Sequence, residues 1–161
     1  MRFIGIITGS KSKKYILESI KEKSTISNVI FINESNIENV RNIKFDAIIL
    51  NKSFRKQELL KKIIIKSNYI LLNEDIETNY FLVKDMKLKI ITYGFNSKST
   101  ITASSISNDE ALICLQRGIT DANGNKIEPQ EVSVKCSNKL NIYDLMLIEC
   151  IKMIFQRTKK D

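Results

Sequence analysis

A three-layer α/β domain on a mostly parallel sheet is the fold class this sequence predicts, and three observations carry that prediction. Between Phe3 and Tyr93, short unbroken apolar runs such as Ala47-Ile48-Ile49-Leu50 alternate with amphipathic segments. Runs of that kind suit strands covered on both faces, and strand–helix alternation favours parallel pairing with right-handed crossovers. Beyond Gly94 the pattern changes to polar–apolar alternation, which predicts an antiparallel hairpin region. The segment from Ile142 is apolar on more than one side, so a final buried helix is expected to complete the cover of the sheet.

The elements follow in order. Phe3 to Thr8 reads as a buried strand entering a loop at Gly9, and Lys13 to Lys23 as a helix whose Ile16, Leu17 and Ile20 share one apolar face. Asn28 to Asn33 is a second β-rich run, Asn36 to Asn42 a short helix, and Asp46 to Asn51 a third strand. A helix over Phe54 to Ile65, a strand at Tyr69 to Asn73, a helical segment at Glu77 to Val83 and a strand at Leu88 to Tyr93 come next. Thr100 to Ser107, Ala111 to Ile119 and Glu131 to Cys136 alternate as antiparallel strands do. The last two are separated by Asp121-Ala122-Asn123-Gly124-Asn125, whose Asn-Gly step supplies the positive φ of a tight turn. Pro129 stands just ahead of the last strand, where a missing donor costs little. The final helix spans Ile142 to Gln156, with Asn141 as N-cap and Asp144 placed as in a capping box.

Composition narrows the function classes. A chain of 161 residues, 43% hydrophobic and 27% charged, suits one globular domain, here taken as residues 1–161. Three widely spaced cysteines and no histidine make neither a disulfide framework nor a zinc site, so packed, reduced thiols are expected. No apolar stretch approaches the ~18 residues of a membrane span and the N-terminus lacks a signal-peptide pattern, which together predict a cytoplasmic protein. The net charge of +8 favours anionic partners, but the lysines are scattered and no arginine-rich arm or aromatic interleaving is present. Nucleic acid is therefore the least favoured partner.

The stretch Thr8-Gly9-Ser10-Lys11-Ser12-Lys13-Lys14 lies between the first strand and the first helix, the one context in which a phosphate-binding loop has meaning. In such a loop glycines let backbone N–H groups close on the phosphates, a lysine reaches the outer phosphates and a hydroxyl holds magnesium. Here Gly9 and Lys13 are kept, Ser12 stands for the second glycine and Lys14 for the hydroxyl.

The loop TGSKSKKY, Thr8 to Tyr15, resembles the TGTNGKTT signature of the Mur ligases. Val29 to Val40, VIFINESNIENV, resembles VLEVDEANLPKV of the Mur-like synthetase subunits of lipid II isoglutaminyl synthase, and DAIILN, Asp46 to Asn51, looks like the family strand ending in TN or LN. Phe54-Arg55-Lys56-Gln57-Glu58 stands where that branch has FRDQLD, displaced by one residue; Asn73-Glu74-Asp75 falls on its NADD step, ITYGF from Ile91 on its YFG strand, and Leu140 to Asp144 on its HNxxN helix opening. The order of the matches along nearly the whole chain is their specific part. The chain thus resembles the central, ATP-binding domain of the Mur ligases, which implies a Rossmann-like, P-loop-like fold and places a phosphate or nucleotide site at Thr8 to Lys14 with Asn51 and Asn73.

The departures from that pattern are systematic. Phe31 stands where the family has an acidic metal ligand, Lys56 near its third-strand His or Asp, and Lys14 at the magnesium hydroxyl. Lys61 and Lys62 lie near the place of a carbamylated lysine of some members, though an exposed helix face explains them more simply. The family's substrate-binding and nucleotide-clamping domains and the four-cysteine insertion of the nearest branch have no counterpart in these residues. The resemblance therefore implies a degenerate, non-catalytic relative, a pseudoenzyme without catalytic or metal-binding residues. It would bind ATP or another phosphorylated ligand without magnesium and be linked to peptidoglycan metabolism. The alternative is an interaction scaffold for a cell-wall enzyme or a complex in envelope or spore assembly. If an anion site persists, Lys13 is expected to dominate it and Lys11 to matter less.

Overall fold

The computed structural model describes residues 1–157, and of Ser10 the backbone alone. Five strands alternate with helices in the first part: β1 (Phe3–Ile7), α1 (Lys13–Lys23), β2 (Asn28–Phe31), β3 (Ala47–Leu50), α2 (Gln57–Ile64), β4 (Tyr69–Asn73), α3 (Glu77–Val83) and β5 (Lys89–Tyr93). The second part holds β6 (Ile101–Ser104), β7 (Glu110–Leu115), β8 (Ile119–Thr120), β9 (Lys126–Ile127), β10 (Gln130–Lys135) and α4 (Ile142–Ile154). Eight strands form one sheet in the order β10-β7-β6-β5-β4-β3-β1-β2, and β8 pairs with β9 apart from it. All pairs from β2 to β6 are parallel; β7 is antiparallel to β6 and to β10. The expected three-layer, mostly parallel α/β architecture is what the chain adopts.

Alternation along each strand divides the core between two faces, as the period of two requires. Ile4, Ile6, Ala47, Ile49 and Leu71 face α1 and α4, while Ile7, Ile48, Leu50, Ile70 and Leu72 face α2 and α3. Helix α4 meets α1, β4, β5, β6 and β7, and Leu145 to Ile151 along it are all buried. Its start is fixed locally: the Asn141 side chain accepts the Asp144 N–H at 2.9 Å and Asp144 Oδ2 accepts the Asn141 N–H at 3.0 Å. The capping box is complete, and the short aspartate reaches because its carboxylate sits directly over the cap.

Two connections differ from the expectation. Asn36 to Asn42 is a 3-10 turn at Ile37–Val40 rather than a helix. Asn33 Oδ1 accepts the Ser35 and Asn36 N–H groups and Asn36 Oδ1 accepts the Asn33 N–H, so side chains take bonds a helix would need. The Asn-Gly turn closes the small β8–β9 pair rather than the β7–β10 pair. Asp121 Oδ1 accepts from the backbone of Asn123 and Asn125, and Gly124 has φ +85°. Helix α2 begins at Gln57, leaving Phe54 as a buried anchor ahead of it.

The step from β5 to β6 is short for a parallel connection, which ordinarily needs a crossover of a dozen residues or more. No crossover is needed here because β6 begins where β5 stops: their pairing is confined to Tyr93 beside Ile101. The three strands β6, β7 and β10 therefore extend the sheet past the carboxyl end of β5. No helix among the described residues is long and apolar enough to cross a membrane.

Candidate phosphate-binding cleft

The chain leaves β1 toward β2 on one side and returns across it to β3 on the other, so the strand order reverses between β1 and β3. At such a reversal the loops diverge above and below the sheet, and a crevice opens at the carboxyl ends of the two strands. A cleft of about 420 Å³ lies there, lined by the β1 exit (Thr8, Gly9, Lys11, Ser12), the β3 exit (Asn51, Lys52) and the start of α4 (Asn141, Asp144). Five of the nine sequence-predicted site residues line it: Thr8, Gly9, Lys11, Ser12 and Asn51.

Asn51 is the hub of the floor. Its amide nitrogen donates to Thr8 Oγ1 at 3.0 Å and to Asp144 Oδ1 at 3.5 Å, and its Oδ1 accepts from Tyr93 Oη at 2.7 Å and Asn73 Nδ2 at 3.1 Å. An amide has two donor hydrogens and two lone pairs, so its capacity is filled. Asn51 and the buried Asn73 thus tie the ends of β1, β3, β4 and β5 together. Burial first, and then Cys150, Asp144 and Tyr143 nearby, hold the Tyr93 hydroxyl well above the usual phenol range, which keeps it a donor.

The loop itself is wound up. Gly9 is extended at φ −66° and ψ 155°, Ser10–Ser12 form a 3-10 turn, and α1 continues from Lys13. Among the described residues the positive-φ positions are Ser105, Gly94 and Gly124, so no left-handed residue bends Thr8 to Lys14 into an arch. The N-terminal turns of this helical run have no side-chain cap and no acidic residue. Their free N–H groups and the positive end of the helix dipole lie beside the cleft.

The lysines divide differently from the expected order. Lys11 and Lys52 line the cleft, whereas the Lys13 ammonium lies 5.6 Å from the centre of the Phe31 ring and Lys14 is exposed outside the lining. Phe31 thus provides an aromatic face that holds Lys13 aside. The Ser10 side chain lies outside what the structure describes. Asp144 is the one carboxylate in the lining, and it is engaged by Asn141 and Asn51. No group of three or more His, Cys, Asp or Glu that could hold a metal occurs among the described residues.

Sequence reasoning missed Lys52 and the entry of Asn141 and Asp144 into the cleft. The last two were legible as a cap but not as neighbours of Asn51, because only the packing of α4 across the sheet brings them to β3. Nearby, the Tyr143 hydroxyl donates to Asp75 Oδ2 at 2.8 Å; burial first, then that hydrogen bond and the Asp75 charge, push Tyr143 up to about 12. All three cysteines are free, and burial holds the Cys150 thiol far above its ordinary value. No family model matches the sequence, and no curated protein shows significant similarity to it.

Proposed function

We propose that this chain is a non-catalytic, Mur-ligase-like cytoplasmic domain that binds a phosphorylated ligand, a nucleotide or a phosphate-bearing cell-wall precursor, without magnesium. The observation that carries the reading is the uncapped N-terminus of the helical run at the β1–β3 crevice, with Lys11 and Lys52 lining the same cleft. Backbone donors, a helix dipole and two ammonium groups make an anion site that needs no cation. The donor set argues against magnesium, since Asp144 is consumed by the helix cap and Lys14 replaces the hydroxyl.

Calorimetric titration with inorganic phosphate, ADP, ATP and UDP-linked precursors, each with and without magnesium, tests this. Saturable binding that magnesium does not strengthen is the expected result. Lys11→Ala should weaken it by about 1.5–3 kcal/mol, the range for a charge-assisted hydrogen bond. Lys13→Ala should cost less, reversing the order expected from the loop motif alone. Binding tightened tenfold or more by magnesium would restore the enzyme reading, and the absence of binding by every anion would remove the site.

A second reading, a docking module for a cell-wall enzyme or envelope complex, is favoured by one observation. Tyr80 and Phe81 stand side by side on α3, 46% and 55% exposed, with ring centres 5.7 Å apart. It becomes the better account if no anion binds.

A further inference from the structure

The two edges of the eight-stranded sheet are built differently. At one, Pro129 leads into β10, and Glu131 and Lys135 on that strand are exposed. Charges and proline on an edge are the usual means of keeping a second sheet from pairing there. The opposite edge, β2, carries none of them: Ser24 to Asn33 holds no charged residue and no proline, in a chain of net charge +8. Its register with β1 runs unbroken from Asn28 to Phe31, so no bulge turns it aside. No strand among the described residues pairs with its outer side.

The backbone of β2 shows what that outer side presents. The Ile32 N–H donates to the Ile6 carbonyl at 2.9 Å, so strand alternation points the polar backbone groups of Asn28 and Ile30 at β1 and those of Val29 and Phe31 away from it. In keeping with that direction, the Phe31 carbonyl accepts from Asn36 Nδ2 at 2.8 Å, which leaves it a second lone pair. That is the one side-chain bond to these outward groups among the described residues. All four residues of β2 are only half-buried.

We infer that β2 is a dimerisation edge, which pairs antiparallel with β2 of a second copy of this chain. A twofold axis at Ile30 sets Val29 opposite the partner's Phe31. The Val29 N–H then donates to the carbonyl of the partner's Phe31, whose own N–H returns a bond to the Val29 carbonyl. The axis repeats both, so four backbone bonds form from groups the strand already presents. The side chains suit the same register: a β-branched residue lies beside an aromatic ring, Ile30 beside its own copy, and no like charges are opposed. Such self-complementarity is what a twofold interface requires and what an unrelated partner would not need. A neutral strip also lets two chains of net charge +8 meet without setting lysines face to face. The contact is smaller than the ~1,200–2,000 Å² of standard interfaces, so the dimer is weak and reversible. It uses no residue of the phosphate cleft's lining and stands whether or not that cleft binds.

Sedimentation of the full chain from about 5 to 500 µM tests the assignment. A reversible monomer–dimer equilibrium is expected, and amide hydrogen exchange at Val29 and Phe31 should slow as concentration rises while exchange along β10 does not. Val29→Pro removes an outward N–H that makes no bond within the chain, so it should keep the native circular dichroism and weaken the dimer by roughly tenfold or more. If that variant does not fold, Ile30→Lys, which opposes two ammonium groups at the axis, should weaken the dimer to a similar extent. A chain still monomeric at about 500 µM, exchange at Val29 and Phe31 that ignores concentration, or a dimer left intact by folded Val29→Pro or Ile30→Lys would overturn the proposal.

Discussion

The two ends of the parallel sheet both carry polar hollows, yet they differ in the kind of donor left free. At the amino ends of the strands a hollow of about 310 Å³ is lined by Arg2, Asp46, Tyr69, Lys89 and Asp121 among others. Its carboxylates and its tyrosine hydroxyl are engaged. Asp46 accepts the Phe3 N–H, Tyr69 donates to the Thr120 carbonyl, and Asp121 gathers two backbone N–H groups and the Gln156 amide. Arg2 bonds Asn123 and lies over Phe155, and Lys89 lies over Tyr69. At the carboxyl ends the side-chain floor is equally well bonded, but the first N–H groups of the α1 run are not capped. Concavity and charge are common to both ends; uncapped backbone donors at a helix start distinguish the carboxyl end.

Helix α4 holds both ends, and removing it should erase the contrast altogether. Asn141 and Asp144 at its start line the carboxyl-end cleft, while Phe155 just past its end lines the amino-end hollow. A chain ending at Leu140 should show no cooperative thermal transition and little near-ultraviolet circular dichroism, whereas the full chain should unfold in one step. A truncated chain that still unfolds cooperatively would show α4 to be an appendage.

Next in size, Asp121→Ala should cost about 1.5–3 kcal/mol in urea denaturation, because the Asn123 and Asn125 N–H groups and the Gln156 amide lose a charged acceptor. Phosphate binding should not change. Although burial raises the Asp121 carboxyl, the hydrogen bonds from Gln156, Asn125 and Asn123 outweigh it and hold the group below its ordinary value. A depressed carboxylate contributes stability above its unfolded value of about 3.9 and loses it as pH falls through the folded value. The wild type should therefore lose stability below roughly pH 4 more steeply than Asp121→Asn. Parallel acid profiles would show that the turn does not depend on the charge.

A smaller effect, about 1 kcal/mol, is expected for Asn141→Ala, which opens the capping box but leaves the α4 core contacts intact. Smallest of all is Gly9→Ala. The added Cβ would meet nothing within 4 Å, and the backbone there is extended at φ −66°. Stability should stay within about 0.5 kcal/mol of wild type. If the cleft binds phosphate, the methyl group should nonetheless weaken that binding, since it stands where the backbone meets the anion. Unchanged affinity would place the anion elsewhere in the cleft.

Much of the fold was legible because its strands are buried on both faces and read as continuous apolar runs. Ala47 to Leu50 and Tyr69 to Asn73 allow no other element of that length with such neighbours. The Asn33–Asn36 segment was less legible, since local side-chain bonds beat helix periodicity over so short a stretch. In the site, Thr8, Asn51 and Asn73 were singled out through the family resemblance, and the structure joins them because each stands at the carboxyl end of a parallel strand. The orientation of Lys13 could not, because it depends on the ring of Phe31 from a neighbouring strand. Lys52 carried no signal beyond its place after Asn51.

The position of α4 after every strand of the sheet also shapes how the molecule is made. During synthesis the chain can pair β1 to β5 and cover their second face with α2 and α3 before α4 has emerged. The first face, with Ile49, Leu71 and Ile91, then stays partly open, shielded near β1 by α1 alone. Exposed apolar strands of that kind aggregate or recruit chaperones until covered. Helix α4 forms quickly, since its cap spans four residues, so the wait is set by the ribosome and not by the helix. A pause in translation between β10 and α4 should therefore lower the yield of folded protein more than a pause of equal length after it.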